Sequence, residues 1–131
     1  MREGLSENDR ATITSMLDTL AEKKMTGEDA PRRAMFSDDI VQMIPELAEP
    51  VRGIKGMIID ANIPLTNDLT IEDMDGGGDF AYVRTSTRMT YAGESDTVDT
   101  YGAMHLMILK KQPDGKWLIT NDIFTFEQLD S

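Results

Sequence analysis

Apolar residues follow two different periods along this chain. In the first quarter they recur as on a helix: Ile13, Met16, Leu17, Leu20 and Ala21 share one face. Ser6 is placed to cap that helix, acidic residues follow it, and Lys23 and Lys24 suit the far end before Thr26-Gly27 breaks the pattern. A short second helix is expected from about Glu28 to Met35, with Pro31 in its first turn. Ile40 to Pro45 reads as a strand and Pro45 to Pro50 as a loop. Beyond Val51-Arg52-Gly53 a third helix is expected, with Ile54, Met57, Ile58 and Ala61 inward and Pro64 ending it.

From Leu69 onward the segments are rich in β-branched and aromatic residues and read as strands: Leu69 to Met74, Phe80 to Tyr91, Asp96 to Lys111 and Lys116 to Phe126. Asp75-Gly76-Gly77-Gly78-Asp79, Ala92 to Ser95 and Pro113-Asp114-Gly115 are the turns between them. Helices first and long strands afterwards make an α+β layout, in one domain spanning residues 1–131. Strands of this length must bend to stay compact. The result expected is a cone-shaped, curved antiparallel sheet wrapped around the N-terminal helices, with an internal pocket.

The last two strands are apolar on both faces. Met104, Leu106 and Ile108 oppose His105, Met107 and Leu109; Trp117, Ile119 and Ile123 are expected to oppose Leu118, Phe124 and Phe126. The helices cover one face only, so a homodimer packed through the outer sheet face is expected.

Charge narrows the partners. The net charge of -11 repels phosphate backbones and anionic membranes, so neither nucleic acid nor membrane is expected as a partner. No cysteine is present, which removes disulfides and thiolate chemistry, and one histidine cannot build a multi-histidine zinc site. No metal and no organic cofactor is expected. With no long apolar run and no apolar signal core after Met1-Arg2-Glu3-Gly4, the expectation is a soluble cytoplasmic protein.

Several segments carry a family resemblance. Phe36-Ser37-Asp38-Asp39-Ile40 with Pro45, Pro50 and Val51-Arg52-Gly53-Ile54, then Asp79-Phe80-Ala81-Tyr82-Val83, and finally Lys110 to Trp117 with Asn121-Asp122-Ile123-Phe124 resemble the SnoaL-like, nuclear-transport-factor-two-like (cystatin-like, ketosteroid-isomerase-like) superfamily. The resemblance covers about residues 5 to 128 and implies the cone-shaped fold. It does not extend to ketosteroid isomerase chemistry. That family's aspartate base, acidic oxyanion donor and helix tyrosine map to Ile44, to Met107 and to the stretch from Leu17 to Leu20, which has no tyrosine. SnoaL-type polyketide cyclases pair an acidic residue on the last strand with a histidine on the strand before it, and Asp122 and His105 occupy roughly those places.

The implied fold sets the candidate site. His105, Met107, Thr120, Asp122 and Phe124 should face the pocket, Tyr101 and Leu109 should line its ends, and Gln42, Ile44, Leu17 and Leu20 should close the other sides. On the strand carrying Arg84 and Arg88, the opposite face offers Thr85, Thr87 and Met89 as a wall. A carboxylate beside an imidazole fixes its tautomer, and such a pair can take and return a proton next to a carbonyl. Alternatively the two residues satisfy each other structurally, or a one-residue slip places them on opposite faces. Two functions remain open at this level. One is a small-molecule-binding domain that holds a small apolar ligand without catalysis. The other is a cofactor-free isomerase, cyclase or dehydratase acting on a small apolar carbonyl compound through His105 and Asp122.

Overall fold

The computed structural model describes residues 4–57 and 62–129. In chain order the elements are α1 (Glu7–Thr26), α2 (Asp29–Arg33), β1 (Phe36–Met43), β2 (Val51–Arg52), β3 (Thr66–Gly77), β4 (Phe80–Ala92), β5 (Val98–Lys111) and β6 (Trp117–Gln128). The strands form one curved, unclosed sheet of six in the order β2-β1-β6-β5-β4-β3. From β3 to β6 the sheet is an antiparallel meander, whereas β1 runs parallel to β6. The sheet is therefore mixed rather than purely antiparallel. No helix among the described residues is long and apolar enough to cross a membrane.

α1 starts and stops where its side chains dictate. The Ser6 hydroxyl accepts the Asp9 backbone N–H at 3.0 Å, satisfying one of the free donors of the first turn. At the other end Gly27 adopts φ 73°, a left-handed conformation that glycine enters without a Cβ penalty. Its neighbour Glu28 returns an N–H to the Lys23 carbonyl, closing the helix. Between these caps Ile13 and Leu17 are fully buried against Ile40, Val83, Leu109, Trp117 and Ile119.

The expected third helix is not found in the described residues. Val51 and Arg52 pair antiparallel with Gln42 and Val41, which draws them into the sheet edge as β2. Ile54 and Met57 then lie in tight turns, held by bonds from Gly56 N–H to Gly53 O and from Met57 N–H to Ile54 O. Ile58 and Ala61 lie outside the described residues. β3 extends beyond its expected limits because it stays paired with β4 up to Gly77 and Phe80, leaving Gly78 and Asp79 as the turn, whereas β5 starts two residues later than expected, at Val98.

Polar bonds fix how α1 lies over the sheet. Near its start, Asp9 Oδ1 accepts from Lys111 Nζ on β5 and from Trp117 Nε1 on β6, both at 3.2 Å. Arg10 on the next position donates to the Met74 carbonyl at 2.8 Å and to Asp75 Oδ1 at 3.2 Å, both on β3. Near its end, Asn67 Nδ2 on β3 donates to the Ala21 carbonyl at 3.1 Å. The helix is thus tied to both halves of the sheet at its N-terminal end and to β3 through Asn67 near its C-terminal end.

One irregularity decides which side chains point inward. Along β5 and β6, Ile108 pairs with Asn121, but Leu109 pairs with Ile119, so Thr120 is an extra residue bulged out of the ladder. The bulge inverts the alternation. Trp117 and Ile119 face the helices before it, and Asp122 and Phe124 face them after it. The expected opposition of Trp117 and Ile119 to Phe124 and Phe126 assumed an uninterrupted period of two.

Burial pushes the Asp9 carboxyl pKa up, but hydrogen bonds from Lys111 and Trp117, together with the Lys111 charge, outweigh it and leave the carboxyl below the usual aspartate range. A depressed folded-state value stabilises the protein above the unfolded aspartate pKa of about 3.9, and that contribution is lost as pH falls through the folded value. Replacing Asp9 with Ala is expected to cost about 1–2 kcal/mol at neutral pH. In urea titrations the difference from the parent protein should shrink below about pH 4.

Candidate functional site

α1 and the sheet part company towards the C-terminal end of the helix, where the bond from Asn67 to the Ala21 carbonyl bridges the gap between them. The gap is a cavity of about 180 Å³. That is below the roughly 300–1,000 Å³ of drug-sized sites and suits a ligand of few atoms. Its apolar wall comes from Leu20 on α1, Leu69 on β3, Met89 on β4, Ala103 and Met107 on β5, and Phe124 on β6.

Across the floor runs a band of polar side chains on adjacent strands. Gln42 on β1 pairs in register with Asp122 on β6, Asp122 lies beside Met107 on β5, and His105, two residues along β5, is the direct partner of Thr85 on β4. All four line the cavity. Gln42 and Thr85 are buried.

At the centre of the band, His105 Nδ1 and Asp122 Oδ1 are 2.8 Å apart. The two are diagonal rather than direct cross-strand neighbours, since His105 sits opposite Phe124. Its imidazole stacks on the Phe124 ring, with centroids 4.9 Å apart and planes 19° from parallel. The Asp122 side chain is 6% exposed and the His105 side chain 26%. The acid is therefore the buried anchor, and the imidazole is the group presented to the cavity. A carboxylate only accepts hydrogen bonds, so Nδ1 donates and the neutral ring keeps its lone pair on Nε2. Among the described residues, Nε2 has no hydrogen-bond partner.

The other expected site residues divide. Leu20, Gln42, Met107 and Phe124 line the cavity together with the His105–Asp122 pair. Leu17 sits one turn deeper, fully buried in the core. Tyr101 stands behind the wall, stacked on the lining residue Phe126 with ring centroids 5.0 Å apart. Ile44 lies past the end of β1, away from the cavity. Thr120 is on the opposite face because of the bulge, with its hydroxyl donating to the Ile108 carbonyl at 3.2 Å. Of the expected β4 wall, Thr85, Thr87 and Met89 are all present. Arg84 and Arg88 are exposed on the other face. Asn67 and Leu69 escaped the sequence reading, although their alternation on β3 carried the signal.

No family model and no curated protein matches the sequence. Solved structures do. A conserved protein from Planctomyces limnophilus superposes with a TM-score of 0.80 at 16% identity, over 95% of this chain and 100% of the other. A ketosteroid isomerase-like protein from Erwinia carotovora atroseptica gives 0.73 at 16% identity, over 96% and 100%. An NTF2-like protein with a cystatin-like fold from Novosphingobium aromaticivorans gives 0.65 at 14% identity, over 89% and 80%.

The chain has the NTF2-like, cystatin-like fold. The fold alone names no function, which has to be argued from a site. In this NTF2-like fold the cavity lining among the described residues includes His105 and Asp122 and no tyrosine.

The bond to Asp122 should set the tautomer of His105. In the neutral protein, the His105 ring nitrogens are expected to show a protonated Nδ1 and an unprotonated Nε2 by two-dimensional 15N NMR. Asp122→Ala should move the population towards the Nε2-protonated form.

Proposed function

We propose that the cavity binds a small, mostly apolar compound and that His105 and Asp122 transfer a proton on it without a metal or organic cofactor. One observation carries this reading: a buried carboxylate bonded to one nitrogen of an imidazole that lines a mostly apolar cavity and whose other nitrogen has no partner among the described residues. Asp122 orients the ring and balances the charge that His105 acquires. His105 Nε2 takes a proton from carbon next to a carbonyl, the electron pair moves onto the carbonyl oxygen as an enolate, and the imidazolium returns the proton to carbon or oxygen. Those two steps make an isomerisation; the same enolate gives dehydration when it expels a β-hydroxyl that takes the imidazolium proton and leaves as water, and cyclisation when it attacks a second carbonyl whose oxygen takes that proton. Stacking on Phe124 and the bond to Asp122 limit ring rotation, so Nε2 keeps one orientation.

The test is hydrogen exchange on an apolar ketone. In heavy water, the protein is expected to speed deuterium incorporation into the α-carbon of 2-tetralone, followed by proton NMR. His105→Ala should lower the protein-dependent rate by about 10²–10⁴-fold. Exchange no faster with the protein than without it would leave a binding domain that does no chemistry.

The outer face supports assembly. Met104 is 60% exposed, Leu106 40% and Ile123 43%, and Leu106 and Ile123 are direct cross-strand partners. A patch of neighbouring apolar side chains on a sheet face suits a second copy of the same surface, and we read the working form as a homodimer through that face. Leu106→Arg places like charges opposite each other across such an interface. Light scattering should give twice the chain mass for the parent protein and a single chain of 14.6 kDa for the variant.

A further inference from the structure

Among the described residues, two uncharged polar atoms in the cavity wall are left without partners by the fold. Thr85 is 1% exposed, and its hydroxyl makes no hydrogen bond among the described residues. Asn67 donates from Nδ2 to the Ala21 carbonyl at 3.1 Å, which fixes its amide orientation because a carbonyl can only accept. Its Oδ1 is then buried with no donor. A folded chain leaves few buried polar atoms unsatisfied, because each one destabilises it, so both call for an explanation. Both residues line the same cavity, and a bound molecule can satisfy them there.

Their placement gives the cavity two polar ends. Thr85 is the direct cross-strand partner of His105 at the deep end. Asn67 pairs with Met89, which lies four residues further along β4, or about 13 Å at the usual strand rise. Leu69, Ala103 and Phe126 line the stretch between, with Thr87 among them. The cavity is thus a slot with a mostly apolar middle.

The hydrogen-bonding roles at each end then select the ligand. At the deep end Thr85 can donate, and the neutral His105 Nε2 can only accept. One hydroxyl satisfies both, its oxygen taking the Thr85 proton and its own proton going to Nε2. At the outer end Asn67 Oδ1 needs a donor, which a second hydroxyl supplies. The geometry points to an elongated ring compound with a hydroxyl at each end as the ligand class of this cavity, with Thr85 and Asn67 setting its orientation. This rests on the cavity being a small-molecule site. It also bears on the chemistry: a ketone meets Thr85 alone, whereas its enol meets Thr85 and His105 together, so the deep end favours the enol.

Three probes of one shape separate these claims: para,para′-biphenol, para-phenylphenol and para-methylbiphenyl. Binding is followed by calorimetry and by the His105 ring resonances. The diol is expected to bind about five- to tenfold more tightly than the mono-phenol, and the mono-phenol more tightly than the methyl compound by a similar factor, one hydrogen bond at each step. Thr85→Val keeps the side-chain shape and removes the unpartnered hydroxyl, so it should melt no lower than the parent protein. It should weaken both phenols about five- to tenfold and leave the methyl compound unchanged. Asn67→Leu also removes the bond to the Ala21 carbonyl, so it is read as a ratio: it should abolish the advantage of the diol over the mono-phenol, apart from any shift common to both.

If Thr85→Val leaves both phenols unaffected, or the methyl compound binds as tightly as the diol, the hydroxyl assignment is wrong while the cavity remains a binding site. If none of the three probes moves the His105 resonances at millimolar concentration, the small-molecule reading falls with it.

Discussion

One unpaired residue in the closing hairpin organises the interior of this protein. Because Thr120 is bulged out, β6 presents Trp117 and Ile119 to the core and then, without turning over, presents Asp122 and Phe124 to the cavity. An uninterrupted strand would place one of these pairs on the outer face. The helix packing needs the first pair, since Trp117 both fills the core and bonds to Asp9. The imidazole needs the second, since Asp122 and Phe124 hold it by an edge and a face. Fold stability and site geometry are therefore satisfied on one strand by a single break in its period.

The cavity exists because α1 is fastened unevenly. Asp9 and Arg10 bind its first turns to β5, β6 and β3, and Ile13 and Leu17 fill the space beneath. Beyond Leu20, whose side chain still packs on the core, the helix lines the cavity, and the Asn67 amide bonds across the gap to Ala21. A helix gripped evenly along its length would close the gap with apolar packing. This one leaves room above a floor of polar side chains, as expected where a site takes precedence over a complete core.

Much of the architecture was legible from local pattern. The Ser6 cap, the Gly27 stop and the strand segments follow from short-range rules, and the placement of His105, Asp122, Met107, Phe124, Leu20 and Gln42 around one cavity followed from alternation combined with the family resemblance. What escaped was set by non-local contacts. Val51 and Arg52 read as the approach to a helix, but an open edge of β1 captures them as β2. Thr120 read as a pocket residue because nothing in Ile119-Thr120-Asn121 announces a bulge; the ladder with Ile108 and Leu109 creates it. Ile44 was placed one residue too far along a strand that ends at Met43. Asn67 is polar at an edge-strand position that usually meets water, and only the helix above it makes it a wall.

The parallel pairing of β1 with β6 has a kinetic meaning. It joins Gln42 to Asp122 across a long stretch of chain, whereas the other main strand pairs connect neighbours in sequence. Closing so large a loop is entropically slow, which places this step late in folding, after the meander has formed. The carboxylate that anchors the histidine gains its glutamine neighbour only then, so an incompletely folded molecule carries the hairpin with His105 but not the finished floor beneath it.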